Sequence, residues 1–227
     1  MHIASAIFDR SCPDLESCPD ESLPEFAFIG RSNVGKSSLL NTLAGKAALA
    51  KVSPVPGHTK LINMFTMNKT WRLVDLPGYG YAHVARTDRS QFNQAVMDYL
   101  EHRANLCLVF ALIDSGLEPQ KIDIEFVEWL ALKQVPFVLV FTKTDKSSAD
   151  EVQANIAAFK ERITKWFAQL PATFTCSAKT EAGRPELLAV IDEQLAAIKA
   201  LSPSTPSSPK NSPSPVRKNR PDRARPW

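Results

Sequence analysis

From residue 24 to residue 201 the chain alternates between two patterns of apolar positions. Short continuous apolar runs suit buried strands, and longer stretches with an apolar residue at every third or fourth position suit helices packed by one face. The runs predict strands over Glu25–Gly30, Leu61–Met67, Thr70–Leu76, Leu106–Asp114, Val135–Thr142 and Ala172–Ser177. The periodic stretches predict helices over Lys36–Leu43, Arg89–Arg103, Glu118–Lys133, Ala149–Leu170 and Arg184–Leu201. Phe92, Val96 and Leu100 share a face of the second helix, as do Ile122, Phe126, Val127 and Leu130 of the third. Asn68-Lys69 reads as the turn of a hairpin, so one strand pair is antiparallel. Alternation of this kind predicts an α/β fold, a mostly parallel sheet with one antiparallel edge strand and helices on both faces. Residues 1–23, rich in Pro and acid (CPDLESCPDESLPE), read as an N-terminal arm extended over the sheet of a domain spanning 24–201.

Composition narrows the class. No apolar run approaches the roughly 20 residues that cross a bilayer, and MHIASAIFDRS lacks the basic start and sustained apolar run of a secretory signal. Cys12, Cys18, Cys107 and Cys176 are scattered without metal-site spacing, which points to free thiols in a reducing, cytoplasmic setting. The net charge of +3 is uneven. Residues 202–227 hold six Lys or Arg against the single Asp222, and seven of the 17 prolines, leaving residues 1–201 at −2. Such a tail reads as disordered, and it is either a solvated end or a basic arm for nucleic acid.

The chemistry begins at GRSNVGKSS, Gly30–Ser38, between a strand and a helix. Gly30-x4-Gly35-Lys36-Ser37 has the spacing of a P-loop. Its glycines let the backbone N–H groups of Arg31, Ser32, Asn33 and Val34 close round phosphates, and the helix N-terminus adds partial positive charge. Lys36 should reach the β- and γ-phosphates, and the Ser37 hydroxyl, with Ser38 beside it, should ligate Mg²⁺. Asp75-Leu76-Pro77-Gly78 follows a strand, placing the Asp75 carboxylate in the Mg²⁺ shell and the Gly78 amide at the γ-phosphate. In the loop before the hairpin, Gly57, His58 and Thr59 bring a hydroxyl that should close on Mg²⁺ while the γ-phosphate is present. Ser53 is an alternative, with Thr59 favoured by its place next to a strand. Thr142-Lys143-Thr144-Asp145 then reads the base. A carboxylate at Asp145 accepts from guanine N1–H and the 2-amino group, donors that adenine does not offer, and the Lys143 stem can lie along the ring. Cys176, Ser177 and Ala178 follow the last strand, where backbone amides could meet the guanine carbonyl. The nucleotide is GTP or GDP.

Gly30–Ser38, Pro56-Gly57-His58-Thr59, the octapeptide DLPGYGYA from Asp75, Thr142–Lys146 and Ser177-Ala178-Lys179 together resemble the EngB (YihA/YsxC) family of bacterial GTPases, of the TRAFAC class. The lead-in LPEFAFIGRSNVGKSSL and the stretch Glu118–Asp123 are also similar. The resemblance covers about residues 2–200 and leaves the tail outside. It implies a Ras-like P-loop GTPase domain that acts in assembly of the large ribosomal subunit, on rRNA or ribosomal protein, with links to cell division and septation; the sequence itself suggests no obligate interface, so a monomer is expected. Two departures are visible: the family's Arg before the switch Thr is His58 here, and an Arg common two residues after the fourth-strand aspartate is Gly116. Thr142 stands where Ras-like proteins carry Asn, implying modest affinity and spontaneous exchange.

Many GTPases place a water-orienting Gln directly after DxxG. Here that residue is Tyr79, so intrinsic turnover should be slow. Lys36, Thr59, Gly78 and Asn33 are the candidates for catalysis. Asn33 either helps hold K⁺ against the developing transition-state charge, as in related GTPases, or only shapes its loop. Two readings of the whole follow: a GTP-driven switch in ribosome assembly, or a slowly hydrolysing GTP-dependent scaffold or division factor that does not act on ribosomes. An ATPase or kinase is disfavoured by Thr142–Asp145.

Overall fold

The structure, a computed structural model, describes residues 1–46, 49–50, 61–79 and 86–201, with residues 86–93 described by their backbone alone. Seven strands, β1 (Ala6–Cys12), β2 (Glu25–Gly30), β3 (Ile62–Met67), β4 (Trp71–Asp75), β5 (Leu106–Asp114), β6 (Phe137–Thr142) and β7 (Thr173–Thr175), form one sheet in the order β1-β3-β4-β2-β5-β6-β7. The helices are α1 (Lys36–Ala44), α2 (Arg86–His102), α3 (Lys121–Leu132), α4 (Ala149–Ile163) and α5 (Arg184–Leu201).

β2 is buried at every position because it lies between β4 and β5, both parallel to it, and between two helical layers. Its side chains alternate accordingly. Ala27 and Ile29 face the layer of α2, α3 and α4. Phe26 and Phe28 face α1 and α5, where Phe28 stacks on Phe110 at 4.5 Å. The expected architecture therefore stands, with β3 as the antiparallel strand, paired to β4 on its inner side. Asn68 and Lys69, with φ of 50° and 59°, make the hairpin turn whose left-handed residues match the twist of the strands.

Two expectations are corrected. Residues 6–12 do not lie over the sheet but extend it, pairing antiparallel to β3 as its outer strand. The hairpin turn supplies the reason. Asn68 Oδ1 accepts from the amides of Ala4 (2.8 Å) and Ser5 (3.1 Å), and its Nδ2 donates to the His2 carbonyl at 2.7 Å, which brings the N-terminal segment alongside β3. The fourth helix ends at Ile163 rather than Leu170, passing into one 3₁₀ turn at Thr164–Trp166. Pro171 disfavours helix in the residue before it, and Trp166, Phe167 and Leu170 fold back against the core.

At the end of β2 away from the glycine loop, Glu25 is wholly buried. Its carboxylate accepts from Tyr99 Oη (2.6 Å), from Arg103 Nε (2.9 Å) and Nη2 (2.7 Å), and from Arg72 Nη1 (3.2 Å). Hydrogen bonds donated to Glu25 hold the Arg103 guanidinium charged, its pKa raised further, while burial and then the Glu25 charge push the Tyr99 phenol well up, keeping it a donor. The same arginines donate to the carbonyls of Pro19 and Asp20, so the acidic N-terminal segment is bound here too. Removing the carboxylate (Glu25→Ala) strands two buried guanidinium groups and should destabilise the fold by about 3–5 kcal/mol. Tyr99→Phe should cost about 1–2 kcal/mol. Urea unfolding midpoints measure both.

Candidate functional site

Parallel strands deliver the loops that follow them to one edge of a sheet. Here the loops after β2, β4, β6 and β7 meet at that edge, carrying GRSNVG, LPGY, KTD and CSAK. Gly35, at φ 98°, turns the chain into α1 in a conformation that side chains resist, and Asn33 tolerates a φ of 64°. α1 therefore starts at Lys36 with its N-terminus directed along the loop. Ser37 and Ser38 follow in its first turn. Arg31 leaves the loop sideways toward α3, its Nε 3.4 Å from Asp123 Oδ2. Val34 packs its side chain into the core, and the Ser32 hydroxyl is buried with no hydrogen-bond partner among the described residues.

Lys36 and Asp75 form a buried ion pair, each charge answering the other inside the protein. Leu76 is a core residue rather than a contact residue: its side chain is fully buried and its amide donates to Phe28 O at 3.0 Å. Pro77 and Gly78 are also buried. A Cβ at Gly78 would lie 2.8 Å from Gly30 O and 3.4 Å from Ser32 N, so only glycine lets this segment rest on the phosphate loop. Tyr79 then forms a parallel bridge with Arg31.

The base-reading loop is tied to the phosphate loop by Thr142, whose buried hydroxyl donates to Val34 O at 2.6 Å. Lys143 adopts φ 62° and sends its amine to Asp114 Oδ2 at 2.6 Å, and a Cβ at Gly35 would meet its stem at 3.8 Å. Thr144 bonds to the Cys176 carbonyl through both amide and hydroxyl, each at 3.3 Å. Asp145 is exposed, and the Ser177 hydroxyl, donating at 2.6 Å, holds its carboxyl below the usual range. Cys176 is buried, its thiol pushed up to about 12 by burial. Between these loops lies a cleft of about 320 Å³ lined by Gly35, Ser38, Thr142, Lys143, Asp145 and Ala178.

Ser177 does not offer its amide to the cleft, since that group donates to Ala182 O at 3.0 Å; its part is to orient Asp145. Gly57, His58 and Thr59, with the alternative Ser53, lie outside the described residues, as does Gly80. Two residues of the site escaped the sequence reading. Asp114 anchors Lys143 and also accepts from the amide of Gly116 at 3.2 Å. The available signal was its register, directly opposite Thr142 across β5 and β6. Asp123 is 1% exposed, and only the fold brings it to Arg31.

A glycine loop between strand and helix, with carboxylate, base-reading and amide loops on the same sheet edge, defines a P-loop GTPase. A family described as "50S ribosome-binding GTPase" matches residues 25–143. A "Probable GTP-binding protein EngB" of Phocaeicola vulgatus is 47% identical over 200 residues, 88% of this chain and 100% of that protein. One of the same description from Flavobacterium johnsoniae is 47% identical over 195 residues, 85% of this chain and 92% of the relative. The chain belongs to the EngB family and is a GTP-binding, GTP-hydrolysing enzyme. Solved structures agree on the fold: a probable GTP-binding protein engB superimposes at TM-score 0.63 (24% identity, 76% of this chain and 99% of that one). Era of Aquifex aeolicus bound to GDP·AlF4⁻ does so at TM-score 0.63 (23% identity, 76% and 57%).

Asp145→Asn replaces an acceptor with a partial donor toward the guanine edge, and should weaken GDP binding by about 100-fold or more while improving xanthosine diphosphate binding. Calorimetric titration with both nucleotides checks this. Because the Asp145 carboxyl is held down, GDP affinity should stay flat from pH 8 to about pH 5, and the loss on acidification should begin at higher pH in Ser177→Ala.

Proposed function

We propose that this GTPase is a switch in assembly of the large ribosomal subunit, binding the particle or its precursor in the GTP state. The observation that carries this reading is the match of residues 25–143 to a family described as binding the 50S ribosome. The chain's own chemistry fits a nucleotide with bound Mg²⁺. Ser37 and Asp75 are hard oxygen donors, and Mg²⁺ takes few protein ligands, completing its shell from phosphate and water. Mg²⁺ would neutralise phosphate charge. Lys36 would exchange Asp75 for phosphate oxygens, the buried Ser32 hydroxyl gains a partner in the same cradle, and the Gly78 segment, seated on Gly30, reports the γ-phosphate. Thr59 would complete the shell.

Tyr79 turns into the protein, its ring 4.5 Å from that of Phe126. No side chain at this position orients the attacking water, so turnover by the chain alone is slow and rises with an added cation or partner. Asn33 sits exposed at the lip of the phosphate loop and offers its carboxamide oxygen to K⁺. Hydrolysis should therefore run faster in K⁺ than in Na⁺, and Asn33→Ala should remove the difference; equal rates in both salts would discard K⁺. The +5 tail adds salt-dependent affinity for RNA.

Sedimentation of the full chain with purified large subunits, in GDP and in a non-hydrolysable GTP analogue, tests the main reading. Pelleting confined to the analogue is expected, weakened in a 1–201 truncation as salt rises. Failure to pellet in either state would favour the scaffold or division factor.

A further inference from the structure

Asp123 lies in the first turn of α3, one layer beneath the site. A buried carboxylate is stable when several donors hold it, as Glu25 shows, yet one oxygen of Asp123 has none among the described residues. Arg31 Nε stands 3.4 Å from Oδ2, and Oδ1 has no close donor. The Tyr79 hydroxyl faces the same carboxylate, and its hydrogen bonding there opposes the effect of burial on Asp123. Burial pushes the Asp123 carboxyl up and Arg31 opposes the shift; burial also pushes the Tyr79 phenol well up, so Tyr79 remains protonated. A carboxylate in such a place costs stability unless its hydrogen-bonding capacity is filled, and here it is not.

Its location says where. Arg31 and Tyr79 are the two residues joined by the parallel bridge between the phosphate loop and the segment beyond Gly78. Both direct their side chains to Asp123, so one carboxylate on α3 holds both sides of the contact on which Gly78 rests. The Tyr79 ring is fixed against Phe126, one turn further along α3.

We propose that Asp123 is a positioning residue for GTP hydrolysis: by drawing Arg31 and Tyr79 to one point it sets the distance between the phosphate loop and the Gly78 amide, and so aims that amide at the γ-phosphate. The inference rests on the GTPase assignment. GDP lacks the γ-phosphate, so its affinity does not depend on this aim. Asp123→Asn keeps the shape and removes the charge.

In the full-length chain, Asp123→Asn should leave GDP affinity within about twofold, weaken a non-hydrolysable GTP analogue several-fold and lower single-turnover kcat by about tenfold. Its melting temperature should be unchanged or higher, which a merely structural role would not give. Tyr79→Phe, which keeps the ring on Phe126, should reproduce the analogue and kcat effects, and the double variant should be no worse than the poorer single one. Equal losses for GDP and the analogue, or a kcat matching the wild type, would overturn the proposal. A wild-type chain that binds guanine nucleotide but never hydrolyses GTP would overturn the enzyme assignment and the proposal with it.

Discussion

The Glu25 carboxylate, placed without solvent contact at the foot of the central strand, is the constraint from which the rest of the architecture hangs. A charge in that position is tolerable only when it is surrounded by donors, and its donors come from β4, from the last turn of α2 and from Arg103 directly after it. Satisfying one buried group thus fixes the strand, its neighbour, a helix and the acidic N-terminal segment together. The opposite end of the same strand runs into the phosphate loop. A strand held at its foot and buried along its length delivers that loop at a fixed height above the sheet.

At the upper end the nucleotide loops hold one another. Thr142 bonds the base-reading loop to a carbonyl of the phosphate loop, Asp114 fixes Lys143, and Ser177 fixes Asp145. These bonds are short and join the loops that follow different strands, so a base and its phosphates meet a site whose two halves are already in register. That lowers the ordering cost of binding. The contrast with Asp123 is instructive. Where the base is read the polar groups are closely paired, whereas Asp123, beneath the Gly78 segment, keeps one carboxylate oxygen without a donor among the described residues.

The strands and helices were legible where burial is continuous or periodic. Glu25–Gly30, Leu106–Asp114 and Arg184–Leu201 have the same limits in the sequence reading and in the structure, because their apolar runs begin and end at the layer they pack against. The strand Ala6–Cys12 was not legible, since five of its seven residues are exposed and it is held by an asparagine more than fifty residues away. The end of α4 was missed because Trp166 and Phe167 continue an apolar pattern while the backbone has left the helix. The site motifs were legible as spacing. The supports beneath them were not: Asp114, Asp123 and the Ser177 hydroxyl owe their roles to register and packing, and Leu76, read as part of a binding motif, is spent in the core.

One end of α2 is moored through Tyr99 and Arg103, while the other emerges from the chain that follows Tyr79. A helix pinned at one end is a lever. At a rise of 1.5 Å per residue the stretch from Tyr99 back to Arg86 measures about 20 Å, so a tilt of about 10° about the mooring swings the far end by about 3 Å. A displacement handed to the far end would be taken up as tilt, and the core contacts of Val96 and Leu100, close to the pivot, would move least.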